Sequence, residues 1–127
     1  MDKTALVGAD FAAGEEVLKA LDQSELKITV ALWVYSSDHE DWRLLLTSRM
    51  LDSLDLQDAY RLVHDRLSQS GFPAERVPPV IILSTKDPFV RTLRRLFAKA
   101  QSVAGMRLGG QSIGNRFIED AYALRIS

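Results

Sequence analysis

Arg91, Arg94, Arg95 and Lys99 fall in the segment P-F-V-R-T-L-R-R-L-F-A-K-A, with no acidic residue among them. If that segment is one helix, a rotation of about 100° per residue gathers the four cations into an arc of roughly 140°. Phe89, Val90, Leu93, Leu96, Phe97 and Ala100 fill the opposite arc. A concentrated positive face is chemistry for holding anions, whether an acidic protein surface or a phosphate backbone. Phe89 and Phe97 point away from the arginines, which disfavours stacking on single-stranded nucleic acid. A strand, rather than a helix and turn, precedes this helix, which disfavours insertion into a DNA groove. The expected partner is therefore an acidic protein surface or another anionic partner, with nucleic acid less favoured. The plainer alternative is a solvated face neutralised by acids from elsewhere in the fold.

Glu119 and Asp120 form a second group of interest. In a regular strand over Phe117–Ile126, Ile118, Asp120, Tyr122, Leu124 and Ile126 share one face. Asp120 is then a carboxylate on an apolar side and needs a cation, a metal or a hydrogen-bond network. A salt bridge to an arginine such as Arg107, or a bulge that turns Asp120 outward, are the structural outcomes. The functional outcome is an acidic site that, with Arg91 and its neighbours holding substrate, supports metal-dependent phosphodiester cleavage. The set lacks the spacing of a nuclease signature, and Asp87, the nearest further acid, is placed to cap a helix.

The remaining candidates are weaker. Ser36-Ser37-Asp38-His39-Glu40-Asp41 collects three carboxylates and an imidazole, but on a hairpin tip, where ligands are poorly preorganised. It reads as a solvated turn, and neither a metal nor another cofactor is expected. His64 reads as a helix-surface residue. L-G-G-Q-S-I-G-N is neither G-x-G-x-x-G nor a Walker loop, and it leads into a strand rather than a helix.

The elements that position these groups follow from periodicity. A helix is expected from Asp10, with Asp10 as its cap and Phe11, Gly14, Val17, Leu18 and Leu21 as its stripe. Lys27–Tyr35 alternates as a strand covered on both faces, with Ile28, Val30, Leu32 and Val34 on one side. W-R-L-L-L-T-S forms a second strand with Trp42, Leu44 and Leu46 in phase, and places Trp33 and Trp42 near opposite ends of the pair. Asp55 caps a second helix that Gly71 stops, its stripe being Leu56, Ala59/Tyr60, Val63 and Leu67. V-I-I-L, after Pro78-Pro79, reads as a central strand buried on both faces. Asp87-Pro88 starts the basic helix, and I-G-N-R joins Met106–Ser112 to Phe117–Ile126 as a hairpin.

The fold class that results is α+β: a single mixed sheet of about five strands with three helices, in the order α-β-β-α-β-α-β-β, forming one domain over residues 1–127. A hydrophobic content of 46% with 26% charged residues is that of an ordinary globular chain. The absence of cysteine excludes disulfide scaffolds, thiolate nucleophiles and cysteine-based zinc or iron–sulfur sites. No apolar run spans a bilayer and the N-terminus lacks a leader pattern, so a cytoplasmic protein without membrane association is expected. Net charge is −1, divided between −6 over Met1–Thr85 and +5 over Lys86–Ser127. That asymmetry, with unpaired hairpin edges, leads to the expectation of a homodimer or a complex. The function expected is a small non-catalytic interaction or regulatory module binding an anionic partner through the basic helix. The alternative is a metal-dependent phosphodiesterase resembling a nuclease in chemistry.

Overall fold

In the computed structural model, which describes residues 8–97, 99–100 and 102–127, the alternating segment around Trp33 becomes the interior of the sheet. The N-terminal residues read for a leader, together with Ala98 and Gln101, lie outside the described residues. β1 (Val30–Ser36) pairs antiparallel with β2 (Asp41–Thr47), from Val30↔Thr47 to Ser36↔Asp41. The order across the sheet is β3-β2-β1-β6, where β3 is Val80–Ile82 and β6 is Ala121–Ile126.

Both faces of this sheet are covered, as the alternation in β1 requires. Ala31 and Trp33, with Leu44 and Leu46, pack under α1 (Gly8–Asp22) and α3 (Leu56–Gln69). Val30, Leu32 and Leu45 pack instead with Phe89, Val90 and Leu93 of α4 (Pro88–Phe97). Ile28 joins the Trp33 side rather than that of Val30 and Leu32. The strand begins at Val30, and Thr29, tied by its hydroxyl to that of Thr47 at 2.6 Å, ends the alternation that would have carried Ile28. Trp33 stands opposite Leu44, and Trp42 opposite Tyr35, so the tryptophans are diagonal neighbours rather than residues at opposite ends. Trp42 packs its ring on Tyr35 and Tyr122, each with centroids 5.6 Å away.

The local stop signals operate as the residue types dictate. The Asp55 carboxylate accepts the Asp58 amide at 2.8 Å. At the other end of α3, Gly71 (φ +85°) lets its own amide reach the Ser68 carbonyl while the Phe72 amide reaches Leu67, a Schellman closure. Ala59, Val63 and Leu67 are buried, but Leu56 is 62% exposed. Cα–Cβ bonds tilt towards the helix N-terminus, so a first-turn side chain hangs past the packed layer. Asp10 lies inside the first turn of α1 rather than capping it.

Three further departures concern order and count. β3 is an edge strand, parallel to β2, not a central one. Its outward Ile82 amide donates to the Tyr60 hydroxyl of α3 at 3.3 Å. A short helix, α2 (Arg49–Asp52), which the periodicity does not announce, follows β2; the Ser48 hydroxyl caps it by accepting the Met50 amide. The C-terminal hairpin is broken in two. β4 (Gln111–Ile113) and β5 (Arg116–Ile118) form a separate two-stranded ribbon around Gly114-Asn115, as I-G-N-R requires. Upstream, Met106 and Leu108 bond to β6 through Ala123 and Ala121. A β-bulge at the β1–β6 ladder, where Ala31 faces Arg125 and Leu32 faces Ala123, reverses the phase of β6. Ile126 thereby joins the α4 side, while Tyr122 and Leu124 remain under α1; Ile118 is on the α4 side because the chain breaks between β5 and β6. Among the described residues the architecture is α+β, with four α-helices, a mixed four-stranded sheet and the ribbon.

Candidate anion-binding cleft

α2, the turn after β3 and the exposed side of α4 enclose a cleft of about 730 Å³. Its lining is Arg49, Asp52, Ser53, Thr85, Lys86, Arg91 and Arg94. Local chemistry builds each wall. The Asp87 carboxylate accepts the Phe89 amide at 2.9 Å and Pro88 occupies the first helical position, so α4 starts two residues after Lys86. With Phe89, Val90 and Leu93 buried, Arg91 and Arg94 are turned towards the cleft. Gly114 (φ +60°) sets the ribbon against the start of α4, because a Cβ there would lie 2.8 Å from the Pro88 carbonyl oxygen. The opposite wall is clamped by Asp52, whose carboxylate accepts both the Thr85 amide, at 3.0 Å, and the Thr85 hydroxyl.

The clamp has an electrostatic consequence. Asp52 is the acid in the lining, and both its oxygens are already engaged by Thr85. Among the described residues, Arg49, Lys86, Arg91 and Arg94 form no ion pair with any side-chain carboxylate, nor does Arg95. Every other arginine of the chain does. Arg66 shows the contrast: its guanidinium donates to both Glu25 oxygens at 2.6 Å, which holds that carboxyl down to about 2 from its ordinary 4.5. Cations gathered without counter-charges repel one another, and an entering anion relieves that repulsion.

The structure redistributes the residues singled out from the sequence. Arg91 and Arg94 enter the cleft; Arg94 also donates through Nε to the Ser127 carbonyl at 2.7 Å. Arg95 is exposed on α4 but does not line the cleft, and Lys99 lies beyond the end of the helix at Phe97. Leu96, assigned to the buried arc, is 60% exposed: it stands at one edge of that arc in the last turn of α4. Arg49 and Lys86 complete the cationic set, and periodicity cannot find them because α2 and the turn meet α4 only in three dimensions. The one sequence signal is proximity: Lys86 directly precedes the Asp87-Pro88 helix start.

Glu119 and Asp120 do not join this cleft. Glu119 is exposed at the break between β5 and β6. Asp120 is 6% exposed and accepts a two-pronged bond from Arg107 together with the Ala121 amide at 3.0 Å. Arg107 in turn lies 5.2 Å from the centroid of the Tyr122 ring. The expected structural salt bridge is therefore present, and it accounts for the buried charge. In the 36–41 tip, Ser36 and His39 share a hydrogen bond at 3.0 Å, and His64 is exposed on α3. Among the described residues no cluster of three or more histidine or acidic side chains is placed to hold a metal ion, and no helix is long and apolar enough to cross a membrane. Comparison of the chain with protein-family models, curated proteins and solved structures finds no match.

Proposed function

We propose that this domain is a non-catalytic docking module that receives an anionic segment of a protein partner in the cleft between α2 and α4. One observation carries the reading: Arg49, Lys86, Arg91 and Arg94 line one concavity without side-chain carboxylate partners among the described residues, whereas arginines outside this region are ion-paired. The cleft, rather than the whole α4 face, is the contact surface, so Arg95 and Lys99 act at its periphery. A second copy of the chain is the less favoured partner. β3 presents three residues with one outward amide already taken by Tyr60, and the first half of β6 is bonded to the 106–108 segment. Phosphodiester cleavage is less favoured as well, because neither Glu119 nor Asp120 lines the cleft that would hold the substrate.

Retention on immobilised heparin tests the reading, since a chain of net charge −1 has no global reason to bind a polyanion. The wild type is expected to be retained at low salt and released as ionic strength rises. The Arg49→Gln/Arg91→Gln variant, which removes two side chains without hydrogen-bond partners among the described residues, is expected to elute at distinctly lower salt. Flow-through of the wild type, or identical elution of both proteins, refutes the proposal.

A further inference from the structure

We infer that the group received by this cleft is a phosphoryl dianion carried on a peptide, that is, a phosphorylated side chain of the partner rather than an aspartate or glutamate. The inference rests on the docking reading above and adds the chemistry of the ligand. Three arginines and one lysine line the cleft, Asp52 is committed to Thr85, and Arg94 spends its Nε on Ser127. A carboxylate carries one negative charge on two oxygens. A phosphomonoester carries about −1.5 to −2 at pH 7 on three strong acceptor oxygens. Arginine forks match those oxygens in bidentate fashion, so Arg49 and Arg91, with Lys86 and the remaining donors of Arg94 beside them, offer more donors than one carboxylate can accept.

Two features separate a phosphopeptide from other phosphate carriers. The lining contains no aromatic side chain on which a nucleobase could stack. Met50 and Leu54, which neighbour the cleft residues Arg49 and Ser53 in the chain, are exposed at 44% and 37%. They provide apolar footing for residues flanking a phosphorylated one, which a bare sugar phosphate would leave unused.

Fluorescence anisotropy with three degenerate peptide pools, centred on phosphoserine, glutamate or serine, tests this directly. Glucose 6-phosphate and inorganic phosphate serve as competitors. The phosphoserine pool is expected to bind at least tenfold more tightly than the glutamate pool, and the serine pool not at all. Inorganic phosphate should compete only at much higher concentration than unlabelled phosphopeptide. Arg91→Gln and, separately, Arg49→Gln should each weaken phosphopeptide binding about tenfold or more, with circular dichroism reporting an unchanged fold. The two single variants guard against misfolding of either one. Equal affinity for the glutamate pool overturns the phosphoryl assignment while leaving heparin retention, and so the docking reading, intact. Glucose 6-phosphate competing as well as unlabelled phosphopeptide overturns the peptide assignment in favour of a small ester. Absence of binding to every pool by a protein that is retained on heparin likewise overturns the inference, and loss of retention overturns both readings.

Discussion

Replacing Gly14 by alanine places two measurable effects in opposition. Gly14 lies mid-helix in α1, where alanine should gain about 0.5–1 kcal/mol from reduced backbone entropy and better helix propensity. The added Cβ, however, would stand 2.9 Å from Cε2 of Trp33, closer still to Nε1 of the same ring, and 3.1 Å from Cδ1 of Leu124. Ordinary Cβ contacts begin near 3.4 Å, so the methyl lies about half an ångström or more inside the indole. Trp33 is 3% exposed and wedged between sheet and helix, so the ring cannot swing into solvent. Overpacking of this kind costs about 1–3 kcal/mol. The steric term outweighs the propensity gain, and Gly14→Ala is expected to lose on the order of 1–2 kcal/mol. That corresponds to a fall in Tm of roughly 3–10 °C for a domain of this size. The decisive assay is a double-mutant cycle by urea denaturation. In a Trp33→Leu background the atoms at the Nε1 and Cε2 positions are gone, so Gly14→Ala should become neutral or stabilising, with a coupling of at least about 1 kcal/mol. Stabilisation by Gly14→Ala in the wild-type background, or additivity of the two substitutions, would refute the argument that the close approach of the indole requires glycine.

Two further outcomes follow from the ion pairs. Arg107→Gln leaves the buried Asp120 with the Ala121 amide but no cation. Because the arginine side chain is itself 58% exposed, the expected loss is about 1–3 kcal/mol rather than that of a fully buried pair, read from the urea midpoint at pH 7. The Glu25–Arg66 pair makes stability depend on acid pH with a definite sign. Glu25 titrates at about 2 in the folded chain against its ordinary 4.5, so its contribution is complete above about pH 5 and disappears as pH falls towards 2. The difference in denaturation midpoint between wild type and Glu25→Gln should therefore narrow from pH 6 to pH 2.5, and a constant gap contradicts it.

Residue types acting over short range were legible in the sequence. Asp55, Gly71 and Asp87-Pro88 set helix ends through their own side chains or dihedrals, and Gly114-Asn115 sets the ribbon turn, whatever the rest of the chain does. The alternation of β1 and β2 was legible because both faces of each strand are filled. The position of β3 was not: an apolar tetrapeptide has the same pattern at an edge shielded by Tyr60 as in the middle of a sheet. The bulge in β6 was hidden because Tyr122, Leu124 and Ile126 keep an unbroken period of two while the backbone beneath them slips by one residue. Asp120 was correctly identified as needing a partner, since a charge in an apolar pattern is a local contradiction that the fold must resolve. Only half of the cationic cleft could be read, because Arg91 and Arg94 share a helix while Arg49 and Lys86 reach them through tertiary packing alone.

The place of β1 bears on how the chain is made. On one side it meets β2, the next element to be synthesised; on the other it waits for β6, the last strand among the described residues. At translation rates of roughly 5–20 residues per second, the interval between the two pairings is on the order of ten seconds. Throughout it the β1–β2 hairpin has an unpaired edge outside the ribosome, and Val30 and Leu32 lack the Ala121, Ala123 and Ile126 surface that later covers them. A nascent chain stalled before residue 121 should accordingly be a substrate for a holding chaperone, and one from which residues 121–126 have also emerged should not.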